Sequence, residues 1–356
     1  MTKNWAILGT GTVSRKFAAG LGQMPGLGRV TVVASRTGAN ADRFARSLGG
    51  AVATASYEEA VRRADVDIVY IATPPSEHAA QALMAIAAGK AVLIEKPFAQ
   101  DGAAARRIAE AARAARVFCM EAMWTRFLPL MAELRAQAAS GAIGDLRAFQ
   151  GSFMISNEPD PGASLFDPAR GGGALMHRGV YPLSLARDLL GPVTQVTARG
   201  RLGATGVDED CTLLLTHEGG AVSTLNASLR APGPNDFVLS GTHGQLSVAA
   251  PIYRPYLARL STVRPRGTSA GTGRLEALKD SVAAQRVLQW APAGLRTLMA
   301  RGGRTIRRPY HGNGYGHEAA EAIRCLTAGL TESPLMPLDQ SIEIMDVIDA
   351  ARAAFH

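Results

Sequence analysis

The chain has 356 residues, of which 47% are hydrophobic and 19% charged, and a formal net charge of +8. That length suits two domains rather than one core, and no apolar run approaches the ~18 residues of a membrane span. The positive charge is local: between Ile252 and Gly312 twelve Lys and Arg residues face only Glu276 and Asp280, and no nucleic-acid-binding motif accompanies them.

Strand Trp5–Leu8 is predicted almost at Met1, so no signal or transit peptide is expected. Cys119, Cys211 and Cys325 are odd in number, far apart and set in apolar runs. They read as reduced core thiols of a cytoplasmic protein, with neither a disulfide framework nor a metal site.

Short apolar runs at Trp5–Leu8, Val30–Ala34, Ile68–Ala72, Ala91–Ile94 and Val117–Met120 alternate with helical patterns, among them Arg15–Met24, Glu77–Ala88 and Ala103–Ala115. This alternation predicts a parallel sheet wrapped by helices. Gly9-Thr10-Gly11-Thr12-Val13-Ser14 follows the first strand and opens a helix. The first glycine permits a tight turn, the second a close backbone approach to a pyrophosphate, and the small Ser14 close helix–strand packing. Alone such a string is weak; between the first strand and helix of a βαβ unit it predicts a dinucleotide site on a helix N-terminus.

The second strand ends in Ser35-Arg36, where an NAD site would place an acidic residue against the ribose. A carboxylate would repel a 2′-phosphate, whereas Arg36 can pair with one and stack on adenine, so NADP is the expected cofactor and NAD the alternative. Thr73-Pro74-Pro75 is a stiff turn into the next helix, and His78 on that helix reads equally as a site residue or a surface one. The fourth strand runs into Glu95-Lys96-Pro97. Proline stops the ladder and leaves Lys96 at the carboxyl edge of the sheet, where ligands bind in open α/β folds.

Beyond residue 122 the texture changes. Period-two strands are predicted at Leu146–Ile155, Val193–Leu202, Cys211–Thr216, Ala221–Leu229, Phe237–Gly241 and Gln245–Ala249, with helices near Gly173–Leu190, Glu318–Ala328 and Leu338–Phe355. A mostly antiparallel sheet follows, one face packed on helices and the other on a partner. His177 and Tyr181 are one helical turn apart and share a face; the alternative is a buried pair packed under the first domain. Trp124, Arg126 and Phe153 are candidate walls of a substrate pocket, or plain core and surface residues. The arginine-rich segment 252–312 reads as an inserted helical pair with a solvated basic face, the other reading being a basic amphipathic helix on an anionic surface.

The Gly9–Ser14 loop, Thr73-Pro74 with His78, Glu95-Lys96-Pro97 and Gly171 through Pro182 together resemble the glucose–fructose oxidoreductase/inositol dehydrogenase (Gfo/Idh/MocA) family of NAD(P)-dependent oxidoreductases. Glu121 through Phe127 and Gly314-Tyr315 further resemble its dimeric dihydrodiol dehydrogenase and NADP-dependent xylose dehydrogenase branch. The resemblance implies an N-terminal Rossmann domain (1–122) and a C-terminal α+β domain (123–356) holding the basic insert (252–312) and the last helix (337–356). The open sheet then serves dimerisation, so a homodimer or homotetramer is expected.

It also implies a cleft where the cofactor, held by Gly9 to Val13, Ser35, Arg36, Thr73, Pro74, His78, Glu95 and Lys96, meets a small carbohydrate-like substrate. Lys96 and Tyr181 occupy the family's catalytic positions. His177 stands where the family carries Asp, with Arg178 after it, a departure that changes the charge beside Lys96. The expected activity is hydride transfer between NADP and a secondary hydroxyl or ketone of a sugar, polyol or cyclic diol. The competing reading is a cofactor-binding sensor without catalysis.

Overall fold

The computed structural model describes residues 2–263, 281–282, 286 and 303–355. Six parallel strands form the first sheet: β1 (Asn4–Leu8), β2 (Arg29–Ala34), β3 (Val52–Thr54), β4 (Ile68–Ile71), β5 (Ala91–Glu95) and β6 (Cys119–Ala122), in the order β3-β2-β1-β4-β5-β6. Every residue of β4 and β5 is buried, as continuous apolar strands covered on both faces must be. The covering helices are α1 (Thr12–Gln23), α2 (Gly38–Ser47), α3 (Tyr57–Arg62), α4 (Pro75–Ala87) and α5 (Gly102–Ala115). Chain order reverses between β1 and β4, so their carboxyl ends form the crevice at which a doubly wound sheet binds its ligand.

After helix α6 (Pro129–Ala139) comes a sheet of eight strands. They are β7 (Leu146–Met154), β8 (Val193–Leu202), β9 (Asp208–His217), β10 (Val222–Ser228), β11 (Phe237–Gly241), β12 (Gly244–Val248), β13 (Leu257–Thr262) and β14 (Arg304–Arg307). The order is β14-β13-β12-β11-β7-β10-β9-β8, antiparallel except for the β7–β10 pair. In β9 Cys211, Leu213 and Leu215 are buried while Thr212 and Leu214 are exposed, which is the period-two pattern of a sheet covered on one face. Helix α7 (Val180–Leu190) packs on the covered face, and α8 (Gly316–Thr327) and α9 (Leu338–Arg352) close the chain.

Two expectations change. The predicted helix 173–190 is a π-helical turn, Leu175–Gly179, leading into α7. The two ends of the basic segment are strands, not insert: β13 and β14 pair at the edge of the sheet, with Leu260 and Ile306 inward and Arg304 and Arg307 exposed. The helical pair expected between them falls almost wholly on 264–302, outside the described residues apart from 281, 282 and 286. The last helix joins the two parts, since α9 packs on α5 as well as on β8 and α7. Gly102 N donates to Asp349 Oδ2 at 2.8 Å, and Arg106 pairs with Asp346 at 2.5 Å.

Candidate active site

Gly9 follows β1 with φ +106°, and a Cβ there would meet the Ala72 carbonyl oxygen at 2.6 Å. Only glycine lets the first loop lie this close to the end of β4. Gly11, the N-cap of α1, has open space where a Cβ would point and supplies no side-chain cap to the helix. The amides of the first turn therefore face a cleft, the arrangement that receives a pyrophosphate. Ser14 is fully buried and lets α1 pack closely behind the loop.

The cleft, of about 410 Å³, is lined by Gly9, Thr10, Gly11, Thr12 and Val13, by Ser35 and Arg36 beyond β2, and by Thr73, Pro74, Glu95, Lys96 and His177. Tyr57 of α3 lies at the Arg36 end; burial raises its phenol pKa and Arg36 opposes that. The predicted nucleotide residues thus converge, and they fit a dinucleotide whose phosphates meet α1 and whose ribose meets Ser35 and Arg36. His78 is the exception. It is 1% exposed, its ring nitrogens lying 3.0 Å from the Pro97 oxygen and 2.9 Å from the Thr73 oxygen, so it ties together the loops after β4 and β5 rather than lining the cleft. Burial pushes it down to about 4, so the ring is neutral.

A second pocket of about 390 Å³ opens from the same point and shares Lys96 and His177 with the first. Its walls are aromatic. Trp124 stacks on Tyr315 with centroids 4.5 Å apart, and Phe153 stacks on Tyr253 at 5.2 Å and meets Tyr181 edge-on at 5.3 Å. Trp124 Nε1 donates to the Tyr181 hydroxyl at 3.2 Å, which orients that oxygen in the pocket wall.

Lys96 Nζ lies 4.9 Å from the Tyr181 ring centroid and donates to the His177 carbonyl at 3.2 Å. Burial lowers its pKa, Glu95 and Glu121 oppose that, and Arg178 adds to it. Glu95 accepts from the Tyr70 hydroxyl at 2.5 Å and from the Lys96 amide at 3.0 Å. Burial raises the Tyr181 phenol, which stays protonated, and drives His177 down to about 3 with help from the Lys96 and Arg178 cations. The imidazole is neutral, and its buried Nε2 has no hydrogen-bond partner among the described residues.

The glycine run sets this part against the first domain. Gly171, at φ +80°, would place a Cβ 2.9 Å from Pro75 at the start of α4. Asp208 accepts from the Leu175 amide at 2.7 Å and so caps the π turn that carries His177. Arg126 corrects an expectation: it is 1% exposed, bound to Asp188 at 2.7 Å and Gln340 at 2.7 Å, and lines neither pocket. A charge so deeply buried must be paired, and its partner lies on the helix behind the site. Lys16, Arg178, Tyr253, Arg254 and Tyr315 also line the second pocket. Arg178 and Tyr315 stood within the motifs above; Tyr253 and Arg254 lie on a loop with no motif to mark them.

Residues 3–123 match the oxidoreductase family with an NAD-binding Rossmann fold, and residues 131–247 match the GFO/IDH/MocA C-terminal domain. Trans-1,2-dihydrobenzene-1,2-diol dehydrogenase of Mus musculus is 31% identical over 365 residues, covering 99% of this chain and 97% of its own. The chain belongs to the Gfo/Idh/MocA oxidoreductase family. The Homo sapiens dihydrodiol dehydrogenase is 30% identical with the same coverage. Among solved structures, a 3-ketoreductase from Actinomadura kijaniata in complex with NADP and TDP-benzene superposes with TM-score 0.79 at 24% identity, over 100% of this chain and 98% of that one. An aldose–aldose oxidoreductase from Caulobacter crescentus complexed with glycerol gives 0.81 at 22%, over 99% and 97%. This Gfo/Idh/MocA member is accordingly an NAD(P)-binding dehydrogenase or reductase acting on CH–OH groups.

Proposed function

We propose that the protein is an NADP-dependent oxidoreductase that interconverts a secondary hydroxyl and a ketone on a sugar, polyol or cyclic diol. The observation that carries this reading is the junction of a nucleotide cleft and an aromatic pocket at Lys96 and His177. The names of the relatives, diol dehydrogenases, and the glycerol bound by a solved neighbour support a polyhydroxylated substrate. Arg36, in place of an acidic ribose ligand, and the NADP bound by a solved neighbour support NADP.

Hydride acceptance and return are what the bound cofactor supplies. The chain's own residues handle the proton. In oxidation the carbinol O–H proton passes to the Lys96 amine in its unprotonated form, which burial favours. In reduction the Lys96 ammonium returns it. The Tyr181 hydroxyl, protonated and held by Trp124, donates to the same substrate oxygen. His177 keeps one ring proton beside them and orients it. Oxidation rises with pH as Lys96 deprotonates, and reduction falls. We place the enzyme in a reducing cytoplasm, where its three buried thiols stay free, and as a homodimer or homotetramer built on the open sheet.

The test is turnover of NADPH with ketoses and aldoses and of NADP⁺ with polyols and cyclic diols, alongside dissociation constants for NADPH and NADH. NADPH is expected to bind more tightly, and Arg36→Ala to remove most of the difference, about 1.5–3 kcal/mol for one charged contact. Equal affinity for the two cofactors contradicts the NADP reading. Binding without turnover across the panel favours the sensor.

A further inference from the structure

The second pocket carries an excess of positive charge. Lys16, Lys96, Arg178 and Arg254 line it, and no Asp or Glu stands among its described lining residues. Lys96 has Glu95 and Glu121 near it. Among the described residues Arg178 has no such neighbour. It is 7% exposed, and its guanidinium donates to the carbonyls of Ile155 and Ser228 and to Asn157 Oδ1, all neutral acceptors. Its aromatic neighbour is Phe153, 5.8 Å from the guanidinium carbon.

Other enclosed arginines among the described residues differ. Arg126 and Arg135 share Asp188, Arg187 holds Glu343 and Arg230 holds Glu209. A buried guanidinium without a counter-charge is costly unless an anion joins it. Burial alone acts on Arg178, pushing it down to about 10. Of its five donors three are committed to those acceptors, which leaves two for a ligand.

Resting on the oxidoreductase reading above, we infer that the substrate is a sugar acid or cyclic hydroxy acid, whose carboxylate pairs with Arg178 while its carbinol lies beside Lys96. A planar carboxylate matches the two donors left on a fixed guanidinium, and the aromatic walls suit the ring or carbon chain that bears it. Arg254, over the Tyr253 ring at 5.5 Å, adds a second cation at the pocket. The replacement of an expected Asp by His177, with Arg178 next to it, removes the negative charge that would repel such a ligand.

The experiment is calorimetric titration of the NADP⁺-loaded protein with matched compounds: gluconate against glucitol, glucuronate against glucose, and glucose 6-phosphate. It reads binding alone, so it stands even if no compound is turned over; failed turnover counts against the catalytic reading and not against this one. The carboxylates are expected to bind at least ~10-fold more tightly than their neutral partners, the scale of a charge-assisted hydrogen bond. Arg178→Met should collapse that ratio toward one while NADPH affinity holds, and Arg178→Lys should keep part of it. Equal binding of neutral and carboxylate partners, or a ratio unchanged in Arg178→Met, overturns the inference and leaves Arg178 as a pin between β7 and β10. Preferred binding of the phosphate overturns the carboxylate assignment. Should Arg178→Met fail to fold, the Arg178→Lys titration decides alone, since a pin would leave its ratio at the wild-type value.

Discussion

At the scale of single residues, the site is governed by burial acting on charges that face one another. Glu121, at 0% exposure on β6, is held up at about 7, chiefly by desolvation, and neither carboxyl oxygen has a hydrogen-bond partner of ordinary geometry among the described residues. Its folded pKa exceeds its unfolded one, so the folded state holds the extra proton. This stability is full below about 4.5 and is lost as pH rises through about 7. Glu121→Gln should therefore change little at pH 4.5 and gain stability over the wild type by pH 8, by roughly 3 kcal/mol at most. Urea unfolding of both proteins at the two pH values measures this, and a difference that stays flat with pH contradicts it.

At the scale of elements, Arg126 joins three pieces of chain: its own 3₁₀ turn (Trp124–Phe127), α7 through Asp188, and the start of α9 through Gln340. Arg126→Met leaves Asp188 with Arg135 alone, and breaking a buried pair of this kind costs about 3–5 kcal/mol. A large fall in unfolding free energy with unchanged discrimination among substrates is expected; normal stability with altered discrimination would return Arg126 to the pocket. The sequence could not show this, because Asp188 lies 62 residues away and a paired arginine reads like a wall of the site. Local signals were the legible ones. The Gly9–Ser14 loop and the strand ending at Lys96 each announce themselves within a few residues. Strand β3 escaped because three residues set no period. Strands β13 and β14 escaped because their pairing spans more than forty residues and exposed arginines interrupt their apolar pattern. Tyr253 completes the aromatic pocket from a loop, where no spacing points to it.

At the scale of the whole molecule, a parallel sheet brings the cofactor loops together, and a second sheet presents one covered face to α7 and leaves the other open. Leu214 and Val222 stand on that open face, 46% and 38% exposed, on neighbouring strands. If the face joins two copies, Leu214→Arg with Val222→Arg should yield a folded monomer by light scattering where the wild type is a dimer or tetramer; a wild-type monomer contradicts the assembly. The nucleotide cleft and the aromatic pocket meet at one amine, that of Lys96. Turnover of Lys96→Met, measured with NADPH affinity on the same preparation once a substrate is in hand, tests its role most directly. A fall of ~10²-fold or more with cofactor affinity nearly intact is predicted, the scale of general acid–base catalysis. Wild-type turnover in that variant would contradict the assignment of Lys96 and, with it, the proposed chemistry.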